Sequence, residues 1–316
     1  MYAICRDNRK PTLMPKTVMI TGAGGFLAGH IAGAFASVGW RTIGVGRSDV
    51  NAQRGRFDAF DRYDIADGAR NVALLQREEP QTIVHLAAPA SVPQSMRDPL
   101  ADLRDHILPT AALLESIRVA SVDSRVILIS SAAVYGNPKT LPVREDAPLA
   151  PISPYGFHKL QQELLLDEYI GIHGLRGCKA RIFSTYGENL RRLAVWDIAR
   201  RALSGQHSVY GSGDETRDYL YAGEVACAVA LLAERAEFRG EAWNVASGES
   251  VTIRDLAQKI FRAAHIEASP QFTGEAVPGS PRCWRADVSR IRALDFTPVH
   301  WSSGLARTID WIRAQP

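Results

Sequence analysis

The sequence predicts an α/β fold in which a doubly wound parallel sheet is followed by a smaller mixed α/β lobe. Three observations carry this. β-rich runs alternate with helical stretches at intervals of roughly 20–40 residues through about residue 186. The runs at 82–88 (TIVHLAA) and 125–131 (RVILISS) are almost wholly apolar, as strands covered on both faces must be. The first run opens directly into glycines that lead a helix.

Along the chain, 17–21 (TVMIT) is a strand on its β-branched content, and 26–38 is a helix. A second strand falls at 41–45 and a third within 57–65. The stretch 66–79 is helical and stops at Pro80, which cannot continue it. After the strand at 82–88, a helix spans 100–120, with a kink expected at Pro109. The strand at 125–131 precedes a long amphipathic helix at 154–173 and a further strand at 179–184. Beyond residue 186 the pattern is mixed. Helices near 195–203, 222–234 and 253–264 are separated by short strands and by Gly/Pro loops such as 211–213 and 278–281.

The 316 residues are 46% hydrophobic, enough for a sizeable core and outside the disordered or collagen-like range. Lys+Arg 37 against Asp+Glu 34 leaves a formal charge of +3, too small and too scattered for a nucleic-acid stripe. No run approaches the ~18 apolar residues of a membrane-spanning helix. Residues 1–16 read as a polar N-terminal extension without the apolar core of a signal peptide. Cys5, Cys178, Cys227 and Cys283 lie far apart, with no CxxC pair and no metal-ligand spacing. No metal site is expected, and the thiols fit a reduced, cytoplasmic protein.

Between the first strand and the first helix stands TGAGGFLAGH. Gly22 permits the tight turn, and Gly25 lets backbone amides approach a pyrophosphate at the helix start, Phe26 and Leu27, where the dipole favours an anion. Ala28 takes the place of a third glycine and is small enough for helix–strand packing. Strand, loop and helix in this order make a Rossmann-type dinucleotide site. About twenty residues on, the second strand ends in Gly46, Arg47 and Ser48 rather than in an acid. A guanidinium and a hydroxyl suit an adenosine 2′-phosphate, so NADP(H) is favoured. NAD(H) remains open if Asp49 turns inward or Arg47 only stacks on the adenine. Asp64 and Ile65 would flank the adenine, and Leu86, Ala87 and Ala88 would lie under the pyrophosphate and ribose.

Tyr155 and Lys159 stand four apart at a helix start and so share a face. A phenol near pKa 10 is a poor base at neutral pH, and a nearby ammonium favours its phenolate. Ser131, at a strand end, can hydrogen-bond the substrate oxygen that Tyr155 protonates or deprotonates. The three would form a proton-transfer device at the carboxyl ends of parallel strands. Other polar and aromatic residues have a plainer alternative. His85 reads as a core histidine, and Ser91 and Ser95 as loop residues or sugar contacts. Tyr135, Tyr186, Trp196 and Trp243 read as packing, and Arg191 and Arg192 as phosphate partners or a solvated loop.

Taken together, these residues make the chain resemble the extended short-chain dehydrogenase/reductase family, in particular nucleotide-sugar epimerases similar to UDP-glucose 4-epimerase. The resemblance runs from residue 18 to the C-terminus. It rests on TGAGGFLAGH, IVHLAA, LISSAAVYG, YGFHK, RIFSTYG, YGSGDETRDY and WNVASGESVTI. It implies Ser131, Tyr155 and Lys159 as the catalytic trio, with Lys159 also on the nicotinamide ribose and Arg217 on the substrate diphosphate. It further implies a dinucleotide-binding domain over 17–186 and a nucleotide-sugar lobe over 187–316, some of whose segments return to the first domain. A homodimer through a four-helix interface is implied as well. Three positions depart from the family pattern. His106 and Ser184 each stand where Asn is usual, Ser184 at a substrate-contacting position, and Val277 replaces a diphosphate-binding Arg for which Arg282 or Arg285 could substitute.

The family's dehydratases follow the catalytic hydroxyl with an Asp-Glu pair, whereas Ala132 and Ala133 follow Ser131 here. Dehydration is therefore disfavoured. C4 epimerisation of a nucleotide-diphosphate hexose is the favoured reaction. An NADPH-dependent reductase of nucleotide-linked 4-keto-6-deoxyhexoses, toward which Arg47 pulls, is the alternative. A non-catalytic NADP-binding sensor is a third reading, opposed by the intact trio.

Overall fold

The computed structural model describes residues 15–48, 56–274 and 282–316. Its centre is a seven-stranded, all-parallel sheet. The chain lays down β1 (Thr17–Thr21), β2 (Arg41–Gly46), β3 (Ala59–Arg62), β4 (Thr82–His85), β5 (Arg125–Ser131) and β6 (Arg176–Ile182). Short strands follow: β7 (Ser184–Tyr186), β8 (Ser208–Val209), β9 (Thr216–Arg217) and β10 (Tyr219–Tyr221). Next come β11 (Arg239–Val245), β12 (Val251–Thr252) and β13 (Gln271–Phe272). The order across the sheet is β11-β6-β5-β4-β1-β2-β3. Succession reverses between β1 and β4, which opens a crevice at their carboxyl ends, where sheets of this kind bind ligands. β11 reaches the outer edge of β6 only after the chain has passed through the small strands.

The helices are α1 (Phe26–Ser37), α2 (Gly68–Glu78), α3 (Val92–Arg97), α4 (Pro99–Ala120) and α5 (Pro154–His173). They continue with α6 (Leu193–Leu203), α7 (Ala222–Arg235), α8 (Ile253–Ala263), α9 (Ser289–Arg292) and α10 (Leu305–Arg313). Local chemistry sets their ends. Asp67 accepts from Arg70 N and starts α2, later than the sequence suggested, and Glu79 ends it in the left-handed region just before Pro80. Asp98 caps α4 ahead of Pro99, and Ser153 caps α5 ahead of Pro154, each with proline in the first turn, where its missing N–H costs nothing. Gly174 closes α5 in the left-handed region.

Two expectations change. The fourth strand stops at His85 because the amides of Leu86 and Ala87 turn to the Thr21 hydroxyl instead of continuing a ladder. The strand expected at 179–184 begins at Arg176 and breaks at Phe183, whose N–H bonds Val245 O. A second apolar core, built from Val195, Ile198, Leu256, Ile260, Ile309 and Ile312, joins α6, α8 and α10. α7 instead packs on α1. Among the described residues, no helix is long and apolar enough to cross a membrane.

Candidate active site

The crevice between β1 and β4 is shaped by Gly22, which sits at φ +65°. A Cβ there would lie 2.9 Å from Ala87 N, so only glycine lets the β1 turn rest on the loop after β4. Thr21 Oγ1 ties that loop down by accepting from Leu86 N (3.2 Å) and Ala87 N (3.3 Å). It also contacts His85 Nδ1 (2.8 Å). Because Thr110 Oγ1 donates to His106 O (2.7 Å), its contact with His85 Nε2 (3.0 Å) requires the imidazole N–H there. Nδ1 is then the acceptor for Thr21. Burial, followed by the charge of Lys159, lowers the His85 pKa to about 3, so the ring is neutral. His85 is thus a core histidine, satisfied by two threonines.

These residues fit a dinucleotide. Gly25 precedes α1 and offers no side-chain cap, which leaves the first-turn amides to an anion. At the far end of the crevice, exposed Arg47 lies 3.6 Å from Asp64, and its carbonyl accepts from Arg62 Nε (3.3 Å). Ser48 is exposed beside it, while Ile65 is buried and accepts from Asn71 Nδ2 (2.7 Å). Asp49 and Val277 lie outside the described residues.

The trio assembles where β5 ends beneath the start of α5. The otherwise orphaned N–H of Tyr155, in the first turn of α5, donates to Ser95 Oγ (3.1 Å), so buried Ser95 positions the phenol through its backbone. Ser91 caps α3 by accepting from Gln94 N (3.3 Å). Burial raises the Tyr155 pKa; a hydrogen bond with Ser131 and then the charge of Arg192 pull it down, and Asp102 opposes them. Lys159 donates from Nζ to Ile129 O (2.9 Å), and burial lowers its pKa to about 8 against the fields of Asp102 and Glu163. The sequence suggested Lys159 as the cation acting on the phenol. Arg192, which precedes α6, adds a charge that favours the phenolate.

Asp102 and His158, not singled out by sequence, meet behind the trio, with His158 Nδ1 donating to Asp102 Oδ2 (2.5 Å). His106 packs edge-on against Tyr155, ring centroids 5.7 Å apart. The i, i+4 placement of Asp102 and His106 on one face of α4, and His158 beside Lys159, were the available signals. Among the described residues, these three form the group able to approach a metal, but they are already bonded to one another or to backbone.

In the second lobe, the Arg217 guanidinium stacks on Trp284 (5.7 Å) and donates to Thr216 O (2.8 Å) and Arg282 O (3.3 Å), which brings Arg217 and Arg282 together. Asp218, with its pKa raised by burial to about 6, gathers Ser247, Gly248 and Ala286, and its carbonyl accepts from Ser184 N (3.0 Å). Arg191 is instead engaged by Gln315 Oε1 (2.6 Å). Tyr135 donates to Asn244 Oδ1 and Tyr186 to Trp301 O, both from within the core. Trp243 is buried under Arg290, and Trp196 packs on Trp311. A cleft of about 480 Å³ beside α1, lined by residues including His30, Glu188 and Arg307, does not include the trio.

The fold and this crevice define a nicotinamide-dinucleotide-dependent α/β enzyme. Residues 18–246 match the NAD dependent epimerase/dehydratase family, and the chain belongs to that family of extended short-chain dehydrogenases/reductases. It is 29% identical to a UDP-glucose 4-epimerase of Mycolicibacterium smegmatis, covering 93% of this chain and 98% of the relative. The UDP-glucose 4-epimerase of Thermotoga maritima, solved with UDP-glucose, matches with a TM-score of 0.86 at 26% identity, over 94% of this chain and 98% of that one. That of Thermus thermophilus, solved with NAD, gives 0.85 at 27% identity, over 95% and 100%.

Proposed function

We propose that the protein interconverts the C4 epimers of a nucleotide-diphosphate hexose. The observation that carries this reading is the meeting of half-buried Ser131, at the end of β5, with buried Tyr155 at the carboxyl ends of the strands beside the glycine-led crevice. When bound, the nicotinamide supplies the acceptor and donor of a hydride at sugar C4. Tyr155 takes the C4 hydroxyl proton and returns it, while Ser131 fixes the same oxygen. Arg192 draws the phenol toward ionisation. Lys159 spends one N–H on Ile129 and has two left for the ribose hydroxyls. Ala132 and Ala133 place no acid directly after Ser131, which weighs against expulsion of water from the sugar. Arg217 and Arg282 in the second lobe suit the diphosphate, with Arg192 and Ser184 nearer the sugar. Ser91, committed to capping α3, and Arg191, turned to Gln315, have weaker support as substrate contacts.

Arg47 and Ser48 at the end of β2 support NADP(H) over NAD(H), and the same pair favours the second reading, an NADPH-dependent 4-keto sugar reductase. A homodimer is supported by apolar side chains exposed along α4 and α5, among them Leu100, Leu108, Leu164 and Ile172. The deciding experiment denatures fresh protein, identifies the nucleotide it releases, and assays exchange between UDP-glucose and UDP-galactose. A near-stoichiometric nucleotide with interconversion is expected. Protein that releases none, yet oxidises NADPH with a 4-keto sugar, would replace epimerase by reductase.

A further inference from the structure

We propose that Asp102 is the counter-anion of Lys159, and that Asp102, His106 and His158 act together as a positioning unit behind the Tyr155–Lys159 pair. The proposal deepens the reading above, since it assumes that a charged Lys159 matters there.

Asp102 projects from α4 toward the first turns of α5 and is 3% exposed. Its Oδ2 takes the His158 N–H, but its Oδ1 is buried without a hydrogen-bond partner. His106, fully buried, donates from Nδ1 to Asp102 O (2.7 Å), with Oδ2 at 3.5 Å. Its Nε2 is therefore a bare lone pair, and it too lacks a partner. Gln162 holds the turn in place by donating to His106 O (3.2 Å) and Thr110 Oγ1 (2.6 Å).

A buried carboxylate with one oxygen unbonded is costly unless a cation compensates it. His106 and His85 cannot, because burial holds both neutral, with pKa values of about 3, and His158 bonds Oδ2 alone, leaving Oδ1 bare. Lys159, 5% exposed with Ile129 O as its bonded partner, is the buried ammonium within the field of Asp102. The charged or titratable groups facing Lys159 are Asp102 and His106 from α4, His85 from β4, and Tyr155 and Glu163 from its own helix. Glu163 is committed elsewhere, accepting from Nε and Nη2 of Arg181 (3.0 and 2.7 Å) and from Ser130 Oγ (2.5 Å). Asp102 is left as the anion with an unbonded oxygen, its Oδ1. Its field also opposes ionisation of Tyr155, so at rest the pair holds an ammonium and a neutral phenol.

The chain has six lysines, so protein labelled with ¹³C at lysine Cε gives few signals, and the one lost in Lys159→Arg identifies Lys159. Its titration midpoint is followed in the wild type, Asp102→Asn and His158→Asn. Asp102→Asn is expected to lower the midpoint by a pH unit or more, a tenfold or greater loss of proton affinity. His158→Asn keeps the carboxylate and should leave the midpoint in place. An unchanged midpoint in folded Asp102→Asn overturns the proposal, as does an equal fall in His158→Asn, which would mean packing rather than charge. If Asp102→Asn does not fold, the double variant with His158→Asn, which removes the stranded imidazole donor, is read in the same way. The alkaline limb of turnover is recorded alongside. A shifted midpoint without a shifted limb would leave the counter-anion standing and refute the catalytic reading of Lys159.

Discussion

At Tyr155 burial works against the ionisation that proton abstraction needs, while the Ser131 hydroxyl and the Arg192 charge work for it. Replacing Tyr155 with Phe should cut turnover by about 10²–10⁴-fold and leave folding and nucleotide content unchanged; undiminished turnover would end the mechanism. Removing the cation in Arg192→Gln raises the phenol pKa, so the acid limb of turnover moves to higher pH. Because Arg192 is exposed and screened, the fall at pH 7 should be only about threefold, and high salt should reproduce it in the wild type. The buried imidazoles carry a stability prediction. His85 and His106 have folded pKa values of about 3, against 6.5 unfolded. The unfolded chain therefore binds more protons between those values, and stability is full above pH 6.5 and lost as pH falls toward 3. At pH 5 each histidine costs about 2 kcal/mol. His106→Asn should accordingly flatten the decline of Tm from pH 7 to 5; an unaltered slope would show that His106 is not held neutral. The trio was legible in sequence because each member sits in a short local pattern. The Asp102–His158 contact was not, since its partners are 56 residues apart and meet only through α4–α5 packing.

Elements whose ends are written in local chemistry were read best from sequence. α5 occupies 154–173 as expected because Ser153, Pro154 and Gly174 specify both ends. The apolar run 82–88 exceeds its strand by three residues because the amides of Leu86 and Ala87 are claimed by Thr21, 65 and 66 positions away, which no local pattern records. That same junction makes Gly22 the most exacting glycine of the crevice. Gly22→Ala forces a left-handed residue against the Ala87 amide and should cost about 1–3 kcal/mol. The displaced loop should also release bound nucleotide. Tm and nucleotide stoichiometry together check this, and a variant with both unchanged would show that the β1 and β4 loops are less tightly seated than described.

At the scale of the molecule, α4 and α5 cover one another on their inner sides yet keep a row of exposed apolar residues outside, Leu100 at 76%, Leu164 at 57% and Ile172 at 72%. A pair of such surfaces buried together would account for the row. Leu164→Asp combined with Leu100→Asp should therefore convert a dimer into a monomer by light scattering, with little change in the far-ultraviolet spectrum; an unaltered mass would place any interface elsewhere. The sheet itself imposes an order on biogenesis. β11 shields the outer edge of β6, but 63 residues separate the last residue of one from the last of the other. At ribosomal speeds of about 5–20 residues per second, that edge stays bare for roughly 3–13 s after β6 emerges. Throughout that interval the nascent polypeptide presents a parallel strand with open backbone donors and acceptors, the feature that invites mispairing with other chains. Holdase chaperones are thus expected to crosslink to β6 in stalled translation intermediates ending near residue 220 and to let go once β11 has cleared the exit tunnel.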